Sequence, residues 1–333
     1  MKYLFLTGVL LLSAVGYSQS NVNELFAAGI NDAEKFTDSY FGPVSEAAIY
    51  SLANGWYNSA DSKPLGGFEI SIIGNMTSFK NKEDKKSFVL NTADYENLQF
   101  VDGSSSKPVS TALGDLEGIG VFVEGGVASD EFELPTGLAS ENINFIPTAF
   151  LQLSVGLIKG LEVKARFLPK IDTEDVAIGL YGVGLQYDFS KLLPADKILP
   201  VALSAVVGYT QLNATYDFTN SNIVDGSDQK IDVDMNVLSV QAIASTKLPI
   251  INFYGGIGYV SGKSTTDVLG TYNVQSGPLL SETYTDPFSL KRKASGVSGT
   301  LGAKLKLGFF RLHADYSLAE FNNLTIGVNF GFR

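Results

Sequence analysis

The chain has 333 residues, a formal net charge of −11 and 45% hydrophobic residues. Its acidity argues against nucleic acid and against docking on anionic lipid by charge. The absence of cysteine rules out disulfides, thiolate metal sites and a lipid-modified N-terminal cysteine.

Met1 to Ser18 reads as a secretory leader. Lys2 gives a positive start, Tyr3 to Val15 is largely apolar, and Gly16 and Ser18 supply small residues for cleavage before Gln19. Beyond it, no apolar run is long enough for a spanning helix; the longest, Ile198 to Tyr209, falls short of the roughly 18 residues needed. Leu25, Phe26, Ile30, Ala33 and Phe36 then recur at helical spacings. Gly42-Pro43 is expected to break this helix, Ser45 to cap a second one over Glu46 to Ala53, and Asn54-Gly55 to end it. Residues 19–65 are thus read as a short helical segment that plugs a barrel or lies beneath it, with Phe36, Tyr40 and Trp56 as its candidate packing residues.

From residue 66 to 333 the pattern changes to period 2. Twelve strands are predicted: Gly67–Phe79, Ser87–Phe100, Gly118–Gly125, Pro147–Leu157, Leu161–Pro169, Val176–Phe189, Val201–Gln211, Val237–Lys247, Ile251–Ser261, Val297–Leu307, Phe309–Leu318 and Leu324–Phe332. In the last, Leu324, Ile326, Val328, Phe330 and Phe332 oppose Thr325, Gly327, Asn329 and Gly331. Such a strand needs an apolar medium on one side and a polar space on the other, as in a transmembrane barrel. A hairpin around Tyr272 and Tyr284 would raise the count to fourteen. The fold class is therefore all-β, an antiparallel transmembrane β-barrel of about 12–14 strands. Closure is required because lipid cannot satisfy an open sheet edge.

Counting back from Phe332 gives each connection a side. Gly308, Leu248–Ile250, Leu192–Pro200, Ile158–Gly160 and a longer piece near Lys107–Glu117 fall on the periplasmic side. Gly262–Gly296, Leu212–Asn236 and Gly126–Ile146 fall outside. The long, polar connections all share one parity.

Little chemistry stands out. Alternation turns Glu162, Lys164 and Arg166, Lys304 and Lys306, and Arg311, the single histidine His313 and Asp315 toward the lumen. Mixed charges there suit a polar pore or a plug-binding wall, and Arg or Lys facing mid-bilayer would cost roughly 2–4 kcal/mol. No motif flags a serine nucleophile for His313, so no enzyme is expected. The Asp225, Asp228, Asp232 and Asp234 cluster lacks EF-hand spacing and reads as a solvated acidic stretch. Neither a metal nor a cofactor is implied.

The run Phe41-Gly-Pro-Val-Ser-Glu-Ala-Ala-Ile-Tyr-Ser-Leu-Ala-Asn-Gly-Trp56 ahead of Gly66-Gly-Phe-Glu-Ile-Ser-Ile72, with Leu248-Pro-Ile-Ile-Asn-Phe-Tyr-Gly-Gly-Ile-Gly-Tyr259, resembles an uncharacterised outer-membrane barrel family of Bacteroidota type. That family is distantly similar to FadL-type long-chain fatty acid transporters. The resemblance implies a helical N-terminal plug and a lumen admitting hydrophobic molecules. The Asn-Pro-Ala-Gly box of FadL-type plugs is missing; Leu52-Ala-Asn-Gly-Trp56 stands in its region, and no ligand residue carries over. The expectation is an exported outer-membrane channel or transporter of a Gram-negative cell, set in outer-membrane lipid, gated by its N-terminal segment and open to a hydrophobic or amphipathic ligand. The alternative is a structural or loop-displaying barrel.

Overall fold

The computed structural model describes residues 25–26, 28–124, 131–173, 175–194, 200–217, 226–275 and 281–332; the leader expected at 1–18 lies outside them. Ten antiparallel strands close into a barrel: β1 (Phe68–Ser78), β2 (Phe145–Ile158), β3 (Leu161–Asp172), β4 (Val176–Asp188), β5 (Val201–Asp217), β6 (Gly226–Thr246), β7 (Ile251–Gln275), β8 (Phe288–Leu307), β9 (Phe310–Leu318) and β10 (Asn322–Phe332). Each pairs with its sequence neighbours, and β1 closes on β10 in unbroken register from Phe68↔Phe332 to Ser78↔Asn322. Every strand edge in the wall is thereby satisfied.

The expected twelve to fourteen wall strands are ten. The stretches at 87–100 and 118–125 leave the wall and form two small sheets, Ser87–Asn91 with Ser106–Ser110, and Leu98–Phe100 with Gly120–Val123 and Phe132–Glu133. Their apolar residues Leu90, Leu98, Phe100, Val109 and Val121 bury in one core with Phe36 and Tyr40 of the N-terminal segment, as a cap. The piece near Lys107–Glu117, expected at the periplasmic side, consequently lies with the long connections. Removing a pair of strands leaves the parity of all other connections intact. The Tyr272–Tyr284 hairpin exists, through Ser281–Thr285, but it extends β7 and adds no wall strand.

Sheet pairing separates two ends. The turn end carries Phe68, Phe332 and the short connections at Lys159-Gly160, 247–250 and 308–309. At the opposite, extended end, β6, β7 and β8 run on for 21, 25 and 20 residues in all. Between the two, the outer face is an apolar belt: Ile257, Val297 and Leu301 are 73%, 76% and 75% exposed. Tyr181, Tyr209, Tyr259 and Tyr316 border it on one side and Phe68, Phe253, Phe309 and Phe332 on the other, all exposed. Leu324 to Phe332 covers about 27 Å along the strand, or about 20 Å across a bilayer at a tilt near 40°. A belt of this kind is a lipid-facing surface.

Above the belt the polarity of the wall inverts without a break in the strand. On β6, Leu238 and Val240 face out while Ser239 and Gln241 are buried inside; further up, Met235 and Val237 are buried inside and Asp234 and Asp232 face out. On β5 and β7 the same exchange sets in above Tyr209 and Tyr259. The medium explains it. At belt height lipid lies outside. Above it water lies outside, and an apolar helix fills the interior.

That helix, α1 (Ile30–Ala53), is single and continuous through Pro43, where two helices were expected. Its 24 residues span about 36 Å. An internal proline costs about 3 kcal/mol, which burial offsets: Val44, Ala47, Ala48, Ile49, Leu52 and Ala53 are all buried. Gly42 lets the Arg292 guanidinium approach the helix closely; a Cβ there would lie 2.8 Å from it and push that side chain aside. Ser45, expected as a cap, is an interior helical residue. The helix ends as its sequence indicates, with Asn54 as C-cap and Gly55 at φ +79° turning the chain.

Chain direction is informative. The Phe26 ring packs 4.8 Å from Tyr272 at the extended end, whereas Pro64 to Gly67 leaves beside Gly156 at the turn end. Residues 26–66 therefore thread the whole barrel. With the turn end in the periplasm, a lone cysteine at exposed Glu34 should react with polyethylene-glycol maleimide on intact cells, and one at exposed Leu65 only after the periplasm is opened. The cysteine-free background makes the reading clean; the reverse pattern would invert the orientation.

Candidate functional site

Below α1, residues 54–66 cross the lumen as an extended strap. Trp56, 1% exposed, lies against the inner faces of β4 and β5. It fits because the wall has glycines there: an added Cβ would come within 2.7 Å of the indole at Gly184 and 2.1 Å at Gly208. Arg166 closes the other side. Its guanidinium lies 3.5 Å from the Trp56 ring centroid and 4.2 Å from that of Phe150. Its terminal nitrogens donate to the Leu52 and Asn54 carbonyls at 2.9 and 3.1 Å, and to Thr210 and Gln152. One wall arginine thus grips the helix end, where carbonyls lack intrahelical partners, and orients the only tryptophan. Tyr57 packs on Tyr254, ring centroids 5.8 Å apart.

Further along, the strap joins a buried ionic floor. Glu69 accepts from Lys304 Nζ at 2.9 Å, from Arg311 Nη1 at 2.7 Å and from Asn58 Nδ2 at 2.9 Å. Lys304 also donates to Asn58 Oδ1 at 2.7 Å. Glu162 accepts from Lys164 at 2.5 Å and from both the backbone N–H and Nζ of Lys63 at 3.1 Å. Lys63 Nζ also lies 3.8 Å from the Glu69 carboxylate, which joins the two clusters. Asp188 accepts from the Ser62 N–H at 3.1 Å, Gln186 donates to the Ser59 carbonyl at 2.9 Å, and Ser204 donates to the Ala60 carbonyl. The strap's backbone is satisfied by wall side chains as a strand's would be by a neighbour.

Glu162, Lys164, Lys304 and Arg311 therefore meet in one network, and Arg166 forms the clamp above it. Lys306 stays at the rim, 3.4 Å from the Leu248 carbonyl. His313 and Asp315 are buried on separate partners: the imidazole Nδ1 meets Asn329 at 2.9 Å, which in turn accepts from Asn58 of the network at 3.2 Å, and Asp315 accepts from Tyr254 at 2.8 Å. Phe36 and Tyr40 face the cap rather than the wall; Phe36 meets Phe88 edge-on and Tyr40 donates to the Thr136 carbonyl at 2.5 Å. Lys63, Glu69 and Asn58 were missed. Glu69 was available from alternation, because Phe68, Ile70 and Ile72 point outward and Glu69 and Ser71 are buried. Lys63 and Asn58 lie in a stretch without periodicity. Asp232 and Asp234 share the outer side of β6, where Asp232 pairs with Lys230 at 3.3 Å; Asp225 lies outside the described residues. Among the described residues no acidic or histidine cluster could hold a metal ion.

Above the clamp, a cavity of about 80 Å³, counted at water centres, separates one face of α1 from the wall. Phe41, Val44, Ala48 and Leu52 line it from the helix, and Ile178, Leu212, Val233 and Met235 from β4, β5 and β6.

Fold and site together define a closed, lipid-facing β-barrel whose lumen is occupied by its own N-terminal segment. The chain belongs to a family of unknown function, DUF6588, whose profile matches residues 1–332. No curated protein matches it. Among solved structures it is similar to the translocator domain of the autotransporter NalP from Neisseria meningitidis, at 11% identity over 89% of this chain and 99% of that one, with a TM-score of 0.36. It is similar to Ail, the attachment invasion locus protein of Yersinia pestis, at 12% over 80% and 99%, TM-score 0.28. A Pseudomonas aeruginosa FadL homologue matches at 9% over 80% and 89%, TM-score 0.22. Scores this low add nothing to the architecture described above.

Two substitutions test the site. Glu69→Ala leaves Lys304 and Arg311 buried without their carboxylate and should lower the unfolding free energy of the lipid-embedded protein in urea by about 3–5 kcal/mol. As a control outside the site, Asp102→Ala, which removes an exposed pair with Lys107 and an acceptor for the Ser104 N–H, should leave the urea midpoint nearly unchanged. Gly208→Val should expel Trp56 from its slot and red-shift its fluorescence; an unshifted spectrum would mean the glycines do not form the slot.

Proposed function

We propose that this protein is an exported outer-membrane transporter for small hydrophobic or amphipathic molecules, closed at rest by residues 25–66. The observation that carries the reading is the composition of the plug. The lumen is filled by a segment of the same chain, held by discrete polar contacts below and by apolar packing with an unfilled cavity above. Wall side chains alone suffice to fill an eight-stranded barrel; here ten strands enclose a movable piece instead. Passage requires that α1 and the strap shift relative to the wall, and helix-sized rearrangements of that kind belong to the microsecond-to-second range.

Ser51 Oγ and Thr148 Oγ1 lie 3.0 Å apart, across the contact between α1 and β2. In a chain without cysteine, the Ser51→Cys/Thr148→Cys pair is placed to form a disulfide lock. In planar bilayers the native protein should show brief openings, deletion of residues 25–63 should give persistent current, and the oxidised lock should stay silent until reduced. A deletion protein as silent as the native one would sink the gate.

The length of β6, β7 and β8 beyond the belt favours a second reading, a barrel that presents its extended end to an external partner. That role leaves the native protein closed throughout, with no brief openings, even though deletion of its plug opens the lumen.

A further inference from the structure

We infer that the cavity between α1 and β4–β6 is a ligand site for a neutral, apolar molecule of two or three rings rather than for an anionic amphiphile. The inference rests on the transport reading and narrows its substrate class. The volume is the first observation. A cavity of about 80 Å³ at water centres holds several waters' worth of ligand, on the order of 150–250 Å³ of molecular volume. The lining is the second. It is almost wholly apolar, the hydroxyls of Ser45, Thr148 and Thr266 being its only polar side-chain groups. Thr148 already shares hydrogen bonds with Ser51 and Asn75. Water gains few partners there, so such a space stays dry and accepts apolar guests.

Charge decides the class. No lining residue is ionisable. Of the two arginines nearby, Arg166 lies against the Trp56 and Phe150 rings, and its terminal nitrogens are taken by carbonyls and side-chain oxygens, which leaves only its buried Nε without a partner. Arg292 is matched by the Asp38 carboxylate at 2.8 Å, across a small neighbouring gap that shares Phe41, Ser45 and Thr266 with the cavity. A carboxylate carried into the cavity would lose its water and find no cation among the residues that line it, a loss that outweighs the apolar contacts of its chain.

Trp56 supplies the test. It is the only tryptophan, and through Arg166 it adjoins Leu52 at the cavity floor. Energy transfer from Trp56 to anthracene probes can be titrated on detergent-solubilised full-length protein. Methyl anthracene-9-carboxylate should bind at least tenfold more tightly than the free acid at neutral pH. Ala48→Phe and Val233→Phe, each filling the cavity from one side, should abolish transfer while heat-dependent gel mobility shows the barrel intact. Equal or tighter binding of the acid would overturn the neutral class and leave the transport reading standing. Transfer unaffected by both variants would place the dye on the lipid-facing belt and overturn the site. Transfer from neither probe would remove hydrophobic binding altogether, and with it the substrate of the proposed transporter.

Discussion

Lipid offers no hydrogen bond to a backbone, and that constraint orders the rest of the structure. It forces the sheet to close, and closure at ten strands leaves an interior too wide for wall side chains to fill and too narrow for a folded domain. One helix followed by one extended strap fits. The strap's peptide groups face the same demand as the wall's, and Arg166, Gln186, Asp188, Ser204 and Glu162 meet it. The polar lower lumen is thus a surface complementary to a particular segment, as much as it is a lining for solvent.

Below the clamp the wall holds its plug by ion pairs; above it, mainly by apolar contact, supplemented by the Arg292–Asp38 pair and the Ser51–Thr148 hydrogen bond. These differ in how they respond to displacement. Buried charges separated from their partners become strongly unfavourable, so the floor at Lys63, Glu69, Glu162 and Lys304 resists partial displacement. Apolar contact between α1 and β5–β6 is non-directional and tolerates sliding or a guest molecule. The ionic floor lies next to the covalent tether at β1, and the cavity lies on the α1 side, toward the extended end. A plug so arranged is expected to loosen first from the extended end.

Much of the wall was legible in the sequence. Leu324 to Phe332, Leu161 to Pro169 and Val297 to Leu307 all lie within observed strands, with the same residues facing out. Lumen-facing charges followed from alternation. Two stretches with strand-like composition, 87–100 and 118–125, misled because period 2 reports a two-faced environment and not membership of the wall; their second face is a cap over α1. The helix through Pro43 was illegible for a related reason: local propensity marks a break, and the surrounding wall overrides it. Lys63 and Asn58 carry no periodic signal, since an isolated strap is shaped wholly by its surroundings.

The misplaced strand ends are the most instructive. Gln211, Val237, Ser261 and Val297 were read as boundaries, yet β5, β6, β7 and β8 run through them. Apolar alternation was followed in one phase, and at those residues the phase inverts. On β7, Ile257 and Tyr259 face out below the boundary, whereas Val260 and Val268 are buried inside above it and Lys263 and Asp267 take the outer side. A strand that ends would lose its alternation; this one keeps it and exchanges its faces. The exchange needs two apolar media, lipid outside at one height and a helix inside at the next. Read in that way, a phase inversion repeated on four consecutive strands marks the height of the membrane surface and announces a buried helix above it. The sequence thus carried evidence for the plug in the barrel strands as well as in the plug itself.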